Sequence, residues 1–417
     1  MSMTSLWYAT GPAGPALPQL EESLKTDVLV IGAGFQGLST ALHLAEAGTS
    51  VVLLEAHEPG EGGSGRNGGQ VIPGLKDDPD TLDRLFGEDT TEFAGSTATV
   101  LFDLVERLGL DCDAERTGWI QTGDKHVLIP ALRQRMSEWK ARGADVDWLD
   151  AGEMAAYTGS TRFKGGWLDR RAGQIHPLKL VRALTAAALA AGVKICARSP
   201  VTGLTRKGHW VASLPNGSTV TADRVLTATN RYTTPELDPD LMRATLPANS
   251  FQIATRPLSA EELTRILPHR TPVSENRRVG TYFRIGPQNR LMLGGRGDFA
   301  DPQGPARFAM IQREVEWLYG KGLEMEHYWF GAVAMTRDHR MRIFSPETGL
   351  LAATGFNGRG VALSTALGKR IAEHFLTGRT LPMPVQKTVT RMPLYGLHRV
   401  YGTLAIDYYR LRDRLDR

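Results

Sequence analysis

The run Asp27-Val28-Leu29-Val30-Ile31-Gly32-Ala33-Gly34-Phe35-Gln36-Gly37 constrains this chain more than any other stretch. A short apolar run feeding into Gly-x-Gly-x-x-Gly reads as a buried parallel strand that turns sharply into a helix. Gly32 permits the tight turn, Gly34 lets the backbone approach a ligand without a Cβ in the way, and Gly37 allows close packing of helix on strand. The helix N-terminus then offers free N–H groups to an anion, as a pyrophosphate requires. A helical run, Leu38 to Ala47, a second strand, Val51 to Leu54, and then Glu55 complete the unit. An acid at that spacing accepts hydrogen bonds from ribose hydroxyls and disfavours a 2′-phosphate, which argues against NADP. The candidate contacts are Gly32, Ala33, Gly34, Phe35, Gln36 and Gly37 in the turn, with Glu55 and Ala56 after the second strand. FAD and NAD both remain open at this point.

The chain has 417 residues, enough for two large cores. A hydrophobic content of 41% with 23% charged residues is that of an ordinary globular protein, and the net charge of +4 is spread without a Lys/Arg block that would mark a nucleic-acid tract. Cys112 and Cys196 are far apart and lack a neighbouring His cluster, so neither a disulfide framework nor a metal site is expected. The first residues carry no basic stretch followed by an apolar core, and no run approaches the ~18 apolar residues of a membrane span. The expectation is a cytoplasmic protein.

Along the chain, Trp7-Tyr8-Ala9-Thr10 and the Gly- and Pro-rich residues after it read as an extended arm on the body, and Lys76 to Asp89 as polar and turn-rich. Thr90 to Leu108 and Ala131 to Arg142 have the spacing of core-facing helices. His176-Pro177 opens a helix from Leu178 to Ala191 that ends at Gly192, and His176 suits a capping role better than catalysis. Trp210–Leu214 and Ser218–Thr221 flank Pro215-Asn216-Gly217 as a hairpin. A further strand runs from Arg224 to Asn230, and its small end, Ala228-Thr229-Asn230, lets a ligand approach at the edge where open parallel sheets bind ligands. From Leu246 to Gly297 antiparallel strands (Ser250–Thr255, Val279–Ile285, Arg290–Gly294) and a helix, Ala260–Leu267, suggest a second domain. Leu350–Thr354, the turn Gly355-Phe356-Asn357-Gly358-Arg359-Gly360 and a helix from Val361 to Leu376 then repeat the strand, Gly-turn and helix arrangement.

Two such units so far apart favour a cofactor that reaches across the fold, and the flavin of FAD has that reach. A helix N-terminus at the N1–C2=O edge of the ring stabilises the reduced anion. The expected fold is α/β: a discontinuous Rossmann-like FAD-binding domain (1–85, 160–235 and 330–390), a substrate domain with a mostly antiparallel sheet (86–159 and 236–329), and a C-terminal amphipathic helix (391–417).

Together these motifs, with Ser64-Gly65-Arg66-Asn67-Gly68-Gly69 and the hairpin from Tyr282-Phe283-Arg284 to Gly294-Gly295-Arg296, resemble the D-amino-acid-oxidase-like family of FAD amine oxidoreductases. The Arg66-Asn67-Gly68-Gly69 loop and the Trp7-Tyr8 arm resemble most its gamma-glutamylputrescine oxidoreductase branch. The resemblance implies a glutathione-reductase-like fold. It also implies that Gly63, Ser64, Gly65, Arg66, Asn67, Gly68 and Gly69 run past the flavin. Val201 is then expected near the adenine, Ala228, Thr229, Asn230 and Gly331 among the cofactor contacts, and Gly355, Asn357, Gly358, Arg359 and Gly360 at the ring edge. Sarcosine oxidases of this family tether flavin through a Cys before a Met-Thr-Pro-Asp segment. Gly331 to Asp338 offers no thiol, so FAD is expected to be non-covalent. Where they hold the substrate carboxylate with a Lys after the late Gly turn, this chain has Ala362. Loss of that charge-assisted bond, about 1.5–3 kcal/mol, shifts the expectation to an amine whose carboxylate is remote or absent.

The reaction expected is oxidation of a primary or secondary amine: hydride passes to flavin N5, the imine hydrolyses, and oxygen (giving hydrogen peroxide) or another acceptor reoxidises the flavin. Tyr282, Arg296, Trp329 and Phe330 are the pocket candidates, and no nucleophile is needed. Alternatives are a sarcosine, glycine or D-amino-acid oxidase, a quinone-linked dehydrogenase of the same family, and an NAD dehydrogenase. Another class is an FAD domain acting on an amine in a nucleic acid, served by Arg277, Arg278, Arg284 and Arg290. The expected partners are a small amine and an electron acceptor, with no nucleic acid. The C-terminal segment carries Leu397, Val400, Leu404, Leu411 and Leu415 beside Arg399, Arg410, Arg412, Arg414 and Arg417. It packs on the body or touches an anionic bilayer weakly.

Overall fold

The computed structural model describes residues 4–297 and 299–415. Val28 to Ile31 are buried on both faces, so the Leu24–Ile31 strand lies inside a sheet. It pairs in parallel with Val51–Leu54 on one side and Thr219–Thr227 on the other. Lys194–Cys196 extends the sheet beyond Val51–Leu54, and Leu350–Thr354 beyond Thr219–Thr227. In register, Ile31 lies opposite both Leu54 and Thr227. That register brings Gly32, Glu55 and Ala228 to one edge, where the ligand of an open parallel sheet sits. Val28 and Val30 face the helices Phe35–Glu46, Pro177–Ala190, Glu88–Leu108 and Gly360–Thr377, while Leu29 and Ile31 face Val201, Trp210 and Ala212.

The second sheet has eight strands in the order Met325–Met335, Leu246–Pro257, Arg290–Arg296, Thr281–Gly286, Val273–Glu275, Trp119–Gly123, Gly165–Asp169 and Val146–Leu149. All its pairings are antiparallel except that of Val273–Glu275 with Trp119–Gly123. A two-stranded ribbon, Gln70–Val71 with Gly173–Gln174, leads from the glycine loop toward the helix at Pro177.

Several elements differ from the sequence reading. The Trp7 segment is not extended: Leu6–Thr10 is a short helix capped by the Ser5 hydroxyl, and it buries Leu6 and Trp7 completely. Residues 76–89 contain a helix, Pro79–Phe86, that starts on a proline and buries Leu82. The hairpin strand and the Arg224 strand are one strand, Thr219–Thr227. Gly165–Asp169 and residues 330–335, assigned by sequence to the nucleotide-binding part, lie in the second sheet, the first paired with Trp119–Gly123 and the second, as part of Met325–Met335, with Leu246–Thr255. Glu88–Leu108, assigned to the substrate part, contributes Phe93 and Leu101 to the core of the first sheet.

The C-terminal helix spans His398–Leu415, and Arg417 lies outside the described residues. It docks through Gly402, against Phe299, through Ile406, and through the Asp413 carboxylate, which accepts from Arg278 Nη1 at 3.1 Å and from Val279 N–H at 2.9 Å. Leu397, Val400, Leu404, Leu411 and Leu415 remain exposed. Among the described residues no helix is long and apolar enough to cross a membrane.

Candidate active site and cofactor cradle

The first glycine turn tolerates no side chains. Gly32 has φ +107°, and a Cβ on Gly37 would lie 2.0 Å from the Gly32 carbonyl oxygen. Ala33 N–H donates to Glu55 Oε2 at 2.8 Å and His57 N–H to Oε1 at 3.0 Å, so the acid closes the turn from the second strand. Burial raises the Glu55 pKa, and the two N–H donors oppose that shift. The helix Phe35–Glu46 has no side chain of its own capping its N-terminus. Only Ser64 Oγ, from the following loop, accepts from Phe35 N–H, at 3.1 Å. Both side-chain polar atoms of Gln36 are buried without a partner among the described residues. A positive helix end without a cap of its own, an orphaned amide and a carboxylate at ribose spacing fit FAD, which would be held by Gly32 to Gly37 and Glu55. Val201 packs with Ile31 and Leu54 behind this edge. Ala56 is exposed beyond Glu55.

The loop after Gly62 is fixed by side chains from both sheets. Gly63–Gly65 forms a 3-10 turn, and the Asn67 amide bridges it, donating to the carbonyls of Gly63 and Ser64 while accepting from Gly69 N–H at 2.8 Å. The Arg66 carbonyl accepts from Trp329 Nε1 at 3.1 Å and Gln252 Nε2 at 2.5 Å, and the Asn67 carbonyl accepts from Trp7 Nε1 at 2.8 Å. Trp329, a pocket candidate from sequence, is therefore a buried brace of the loop, since its indole N–H needs the acceptor that the loop provides. Trp329 and Phe330 both line a cavity of about 320 Å³ with Tyr8, Glu61 and Arg66. Gly331 faces Arg66, whose Cβ would stand 3.1 Å from a Cβ there.

Arg284 is the main brace that sequence reading did not place here. Its guanidinium is buried without a carboxylate in contact. Nη1 donates to the carbonyls of Ile175 at 2.7 Å, Gly69 at 3.1 Å and Gly68 at 3.4 Å, and Nε to Ile285 at 3.2 Å. Burial pushes its pKa down to about 9, which leaves it charged at neutral pH. The group lies over the Trp7 ring at 5.6 Å, and Trp7 in turn meets the His176 ring at 4.8 Å. His176 caps the helix Pro177–Ala190: Nδ1 accepts from Lys179 N–H at 3.2 Å, which leaves Nε2–H to donate to Thr10 Oγ1 at 3.1 Å.

The late glycine turn is anchored from two sides. Asn230 Oδ1 accepts from Thr354 Oγ1 at 2.8 Å and Gly355 N–H at 3.2 Å, and Asn357, at φ +51°, accepts at Oδ1 from Thr336 N–H at 2.9 Å. Thr229 pairs with the Thr233 hydroxyl beside it. The helix Gly360–Thr377 starts, like the first, without a side-chain cap. Gly358 is exposed on the turn, and Arg359 reaches back from it, donating to the Pro73 carbonyl at 2.9 Å with its guanidinium 5.3 Å from the Trp119 ring centre. Tyr282 lies against the glycine loop: a Cβ on Gly68 would come within 2.5 Å of its ring, and its hydroxyl pairs with Ser250 Oγ at 2.8 Å. Burial raises the phenol pKa to about 12, so it stays neutral. Arg296 stands opposite Ser250 in the sheet register, and Ser250 Oγ is the partner of the Tyr282 hydroxyl. The structure thus links Tyr282 to Arg296 only through Ser250, and places Trp329 and Phe330 on another cavity. Lys76, in the segment read from sequence only as turn-rich, lies within electrostatic reach of Arg296 and Arg359. No periodicity or motif in the sequence marks that lysine.

The arginines that could have served a nucleic acid do not form an open basic face. Arg284 and Arg290 are buried, Arg277 pairs with Glu275 and Glu314, and Arg278 with Asp413. Arg284 and Arg290 are desolvated and held by internal acceptors, which keeps them from phosphates, while Arg278 stays partly exposed beside Asp413.

Comparison with known proteins agrees with this cradle. Residues 27–374 match the DAO family, described as FAD dependent oxidoreductase. The chain is 30% identical over 424 residues to the gamma-glutamylputrescine oxidoreductase of Escherichia coli strain K12, covering 99% of both chains. It is 32% identical over 427 residues to a probable oxidoreductase OrdL of Rhizobium meliloti strain 1021, covering 98% of this chain and 97% of that one. The crystal structure of glycine oxidase from Geobacillus kaustophilus has the same fold, with a TM-score of 0.73 at 20% identity, covering 89% of this chain and all of that one. With a glycine turn, a closing acid and a late glycine turn in one matched stretch, this chain belongs to the DAO family of FAD-dependent oxidoreductases and is an amine oxidoreductase.

Proposed function

We propose that the protein oxidises an amine of the gamma-glutamylputrescine kind, a diamine joined to an acidic acyl group, with non-covalently bound FAD. The observation that carries this reading is the end-to-end likeness of the chain to a gamma-glutamylputrescine oxidoreductase, in a fold where Arg296 and Arg359 lie within electrostatic reach of Lys76. FAD, when bound, supplies the hydride acceptor. The chain supplies the surroundings. Lys76, Arg296 and Arg359 repel a proton from an incoming ammonium and so favour the neutral amine, which alone can give up hydride. The neutral Tyr282 phenol adds no negative charge that would oppose this. Ala362 is fully buried in the hydrophobic cluster under the late turn, so no cation stands there for an α-carboxylate.

The test is anaerobic reduction of the purified yellow protein by a panel of amines. Gamma-glutamylputrescine should bleach the flavin at least tenfold faster than sarcosine or glycine, and faster reduction by sarcosine would overturn the reading. Acid precipitation of the same sample should leave the flavin in the supernatant, because Gly331 to Asp338 holds no cysteine and Cys112 and Cys196 are both buried.

A second reading concerns the electron acceptor. The exposed stripe Leu397, Val400, Leu404, Leu411 and Leu415, next to Arg399, Arg412 and Arg414, favours weak contact of this otherwise cytoplasmic protein with an anionic bilayer, and hence a membrane quinone as acceptor. The full chain should sediment with phosphatidylserine vesicles at low salt, and a chain ending at Met392 should not. Equal behaviour of the two ends the idea.

A further inference from the structure

The cavity of about 320 Å³ lies where the start of the glycine loop meets the short N-terminal helix Leu6–Thr10 and the edge strand Met325–Met335. Its size falls at the lower end of the range for small-ligand sites, about 300–1,000 Å³. Trp329 and Phe330 are its apolar walls, and Tyr8, Glu61 and Arg66 bring polar groups to it. Part of that polarity is already committed. Trp329 Nε1 donates to the Arg66 carbonyl at 3.1 Å, Ser5 Oγ accepts from Tyr8 N–H at 3.2 Å, and Arg66 Nε donates to the Glu61 main-chain carbonyl at 2.6 Å.

What remains is one cation, one acid and one hydroxyl. Among the described residues nothing accepts from Arg66 Nη1 or Nη2, nothing donates to the Glu61 carboxylate, and the Tyr8 hydroxyl has no partner. Arg66 is tied to the main chain of Glu61 and yet forms no ion pair with its carboxylate, so both charges stay available in the same cavity. Both also reach the Tyr8 phenol, whose pKa burial and Glu61 raise while Arg66 and Arg182 lower it. An unpaired acid and an unpaired guanidinium between aromatic walls complement a molecule that carries a carboxylate, an ammonium and an apolar group on one carbon. Each charge then gains a charge-assisted hydrogen bond in a place partly shielded from water.

We propose that this cavity binds a free α-amino acid with an apolar side chain, its carboxylate on Arg66 and the Tyr8 hydroxyl, its ammonium on Glu61, and its side chain against Trp329 and Phe330. The amino acid is held there as a ligand and is not oxidised. Tyr282 belongs to Thr281–Gly286, three strands in from the edge strand, or about 14 Å at the usual spacing, and it meets the loop at Gly68 and not at Glu61 or Arg66. The ligand acts on the glycine loop through Arg66. Trp329 and Gln252 already hold the carbonyl of that residue, and the bound carboxylate fixes its side chain as well. The inference does not depend on which amine the enzyme oxidises.

Calorimetry on the FAD-loaded full chain tests this with L-phenylalanine as the probe, beside 3-phenylpropionate, which lacks the ammonium, and L-phenylalaninamide, which lacks the carboxylate. L-Phenylalanine should bind about tenfold or more tightly than either analogue. Glu61→Gln should weaken L-phenylalanine by about tenfold or more and leave 3-phenylpropionate unchanged. Arg66→Met keeps the stem beside Gly331 and should weaken L-phenylalanine as much, leaving L-phenylalaninamide unchanged. The amino acid should neither bleach the flavin under anaerobic conditions nor raise the KM for gamma-glutamylputrescine. No binding, equal binding of the three compounds, or affinities unmoved in both variants overturns the site. Bleaching or a raised KM does so too, because the ligand then occupies the reactive pocket. If gamma-glutamylputrescine does not reduce the flavin, the substrate reading fails by itself and the calorimetry still decides the cavity.

Discussion

Arg284→Met should lower the stability of the holoenzyme by about 3–5 kcal/mol and reduce the flavin bound per chain, as read from the urea midpoint and the ratio of flavin to protein absorbance. Methionine fills much of the space but leaves the carbonyls of Gly69 and Ile175 buried without their donor. It also removes the cation over Trp7, whose indole N–H holds the Asn67 carbonyl. The glycine loop from Ser64 to Gln70 then loses its rear support, and that loop is expected to face the flavin. Arg284→Lys keeps the charge but not the fork of donors, so it should fall between the wild type and Met. A midpoint within experimental error of the wild type would show that the loop holds itself.

Acidification from pH 6.5 to pH 4 should cost the wild-type protein about 3 kcal/mol that a His176→Asn variant does not lose. Burial holds the His176 pKa down to about 4, against about 6.5 in the unfolded chain; Lys179 and Arg284 push the same way, and Asp113 opposes them. The folded state therefore binds fewer protons than the unfolded state between these values. The contribution is fully present above about pH 6.5 and is lost as the pH falls toward 4. The geometry explains the preference for the neutral ring: Nδ1 must accept from Lys179 N–H while Nε2–H donates to Thr10, whose own hydroxyl proton goes to the Leu6 carbonyl at 2.7 Å. An imidazolium has no lone pair for Lys179. Asparagine keeps an acceptor for the helix N-terminus without titrating, so it isolates the effect of the imidazole proton. Urea midpoints measured across that pH range for both proteins check it, and parallel curves would remove His176 as the cause.

Both expectations concern one clasp, in which Leu6–Thr10, His176 and Arg284 close behind the glycine loop. Its parts are far apart in the chain, and sequence reading handled them one at a time: Trp7 as an arm, His176 as a cap, and Arg284 as part of a family hairpin or a basic surface. Only the cap was described there as the structure has it.

What the sequence by itself determined is local and rests on backbone rules. Gly32, Gly34 and Gly37 after an apolar strand require a strand, turn and helix unit, and Glu55 falls where the parallel register must put it, because these constraints act within about thirty residues. The repeat of the pattern at Leu350–Gly360 was legible for the same reason. The strand Met325–Met335 and the strands Trp119–Gly123 and Gly165–Asp169 were not, since their burial and partners come from distant segments and their residues alternate weakly. The tertiary structure alone decided which charges meet. Asp77 and Asp78, next to Lys76 in the sequence, find Arg340 and Arg135 as partners only in the fold. Charge balance is a property of a neighbourhood, and the neighbourhood exists only once the two sheets are joined.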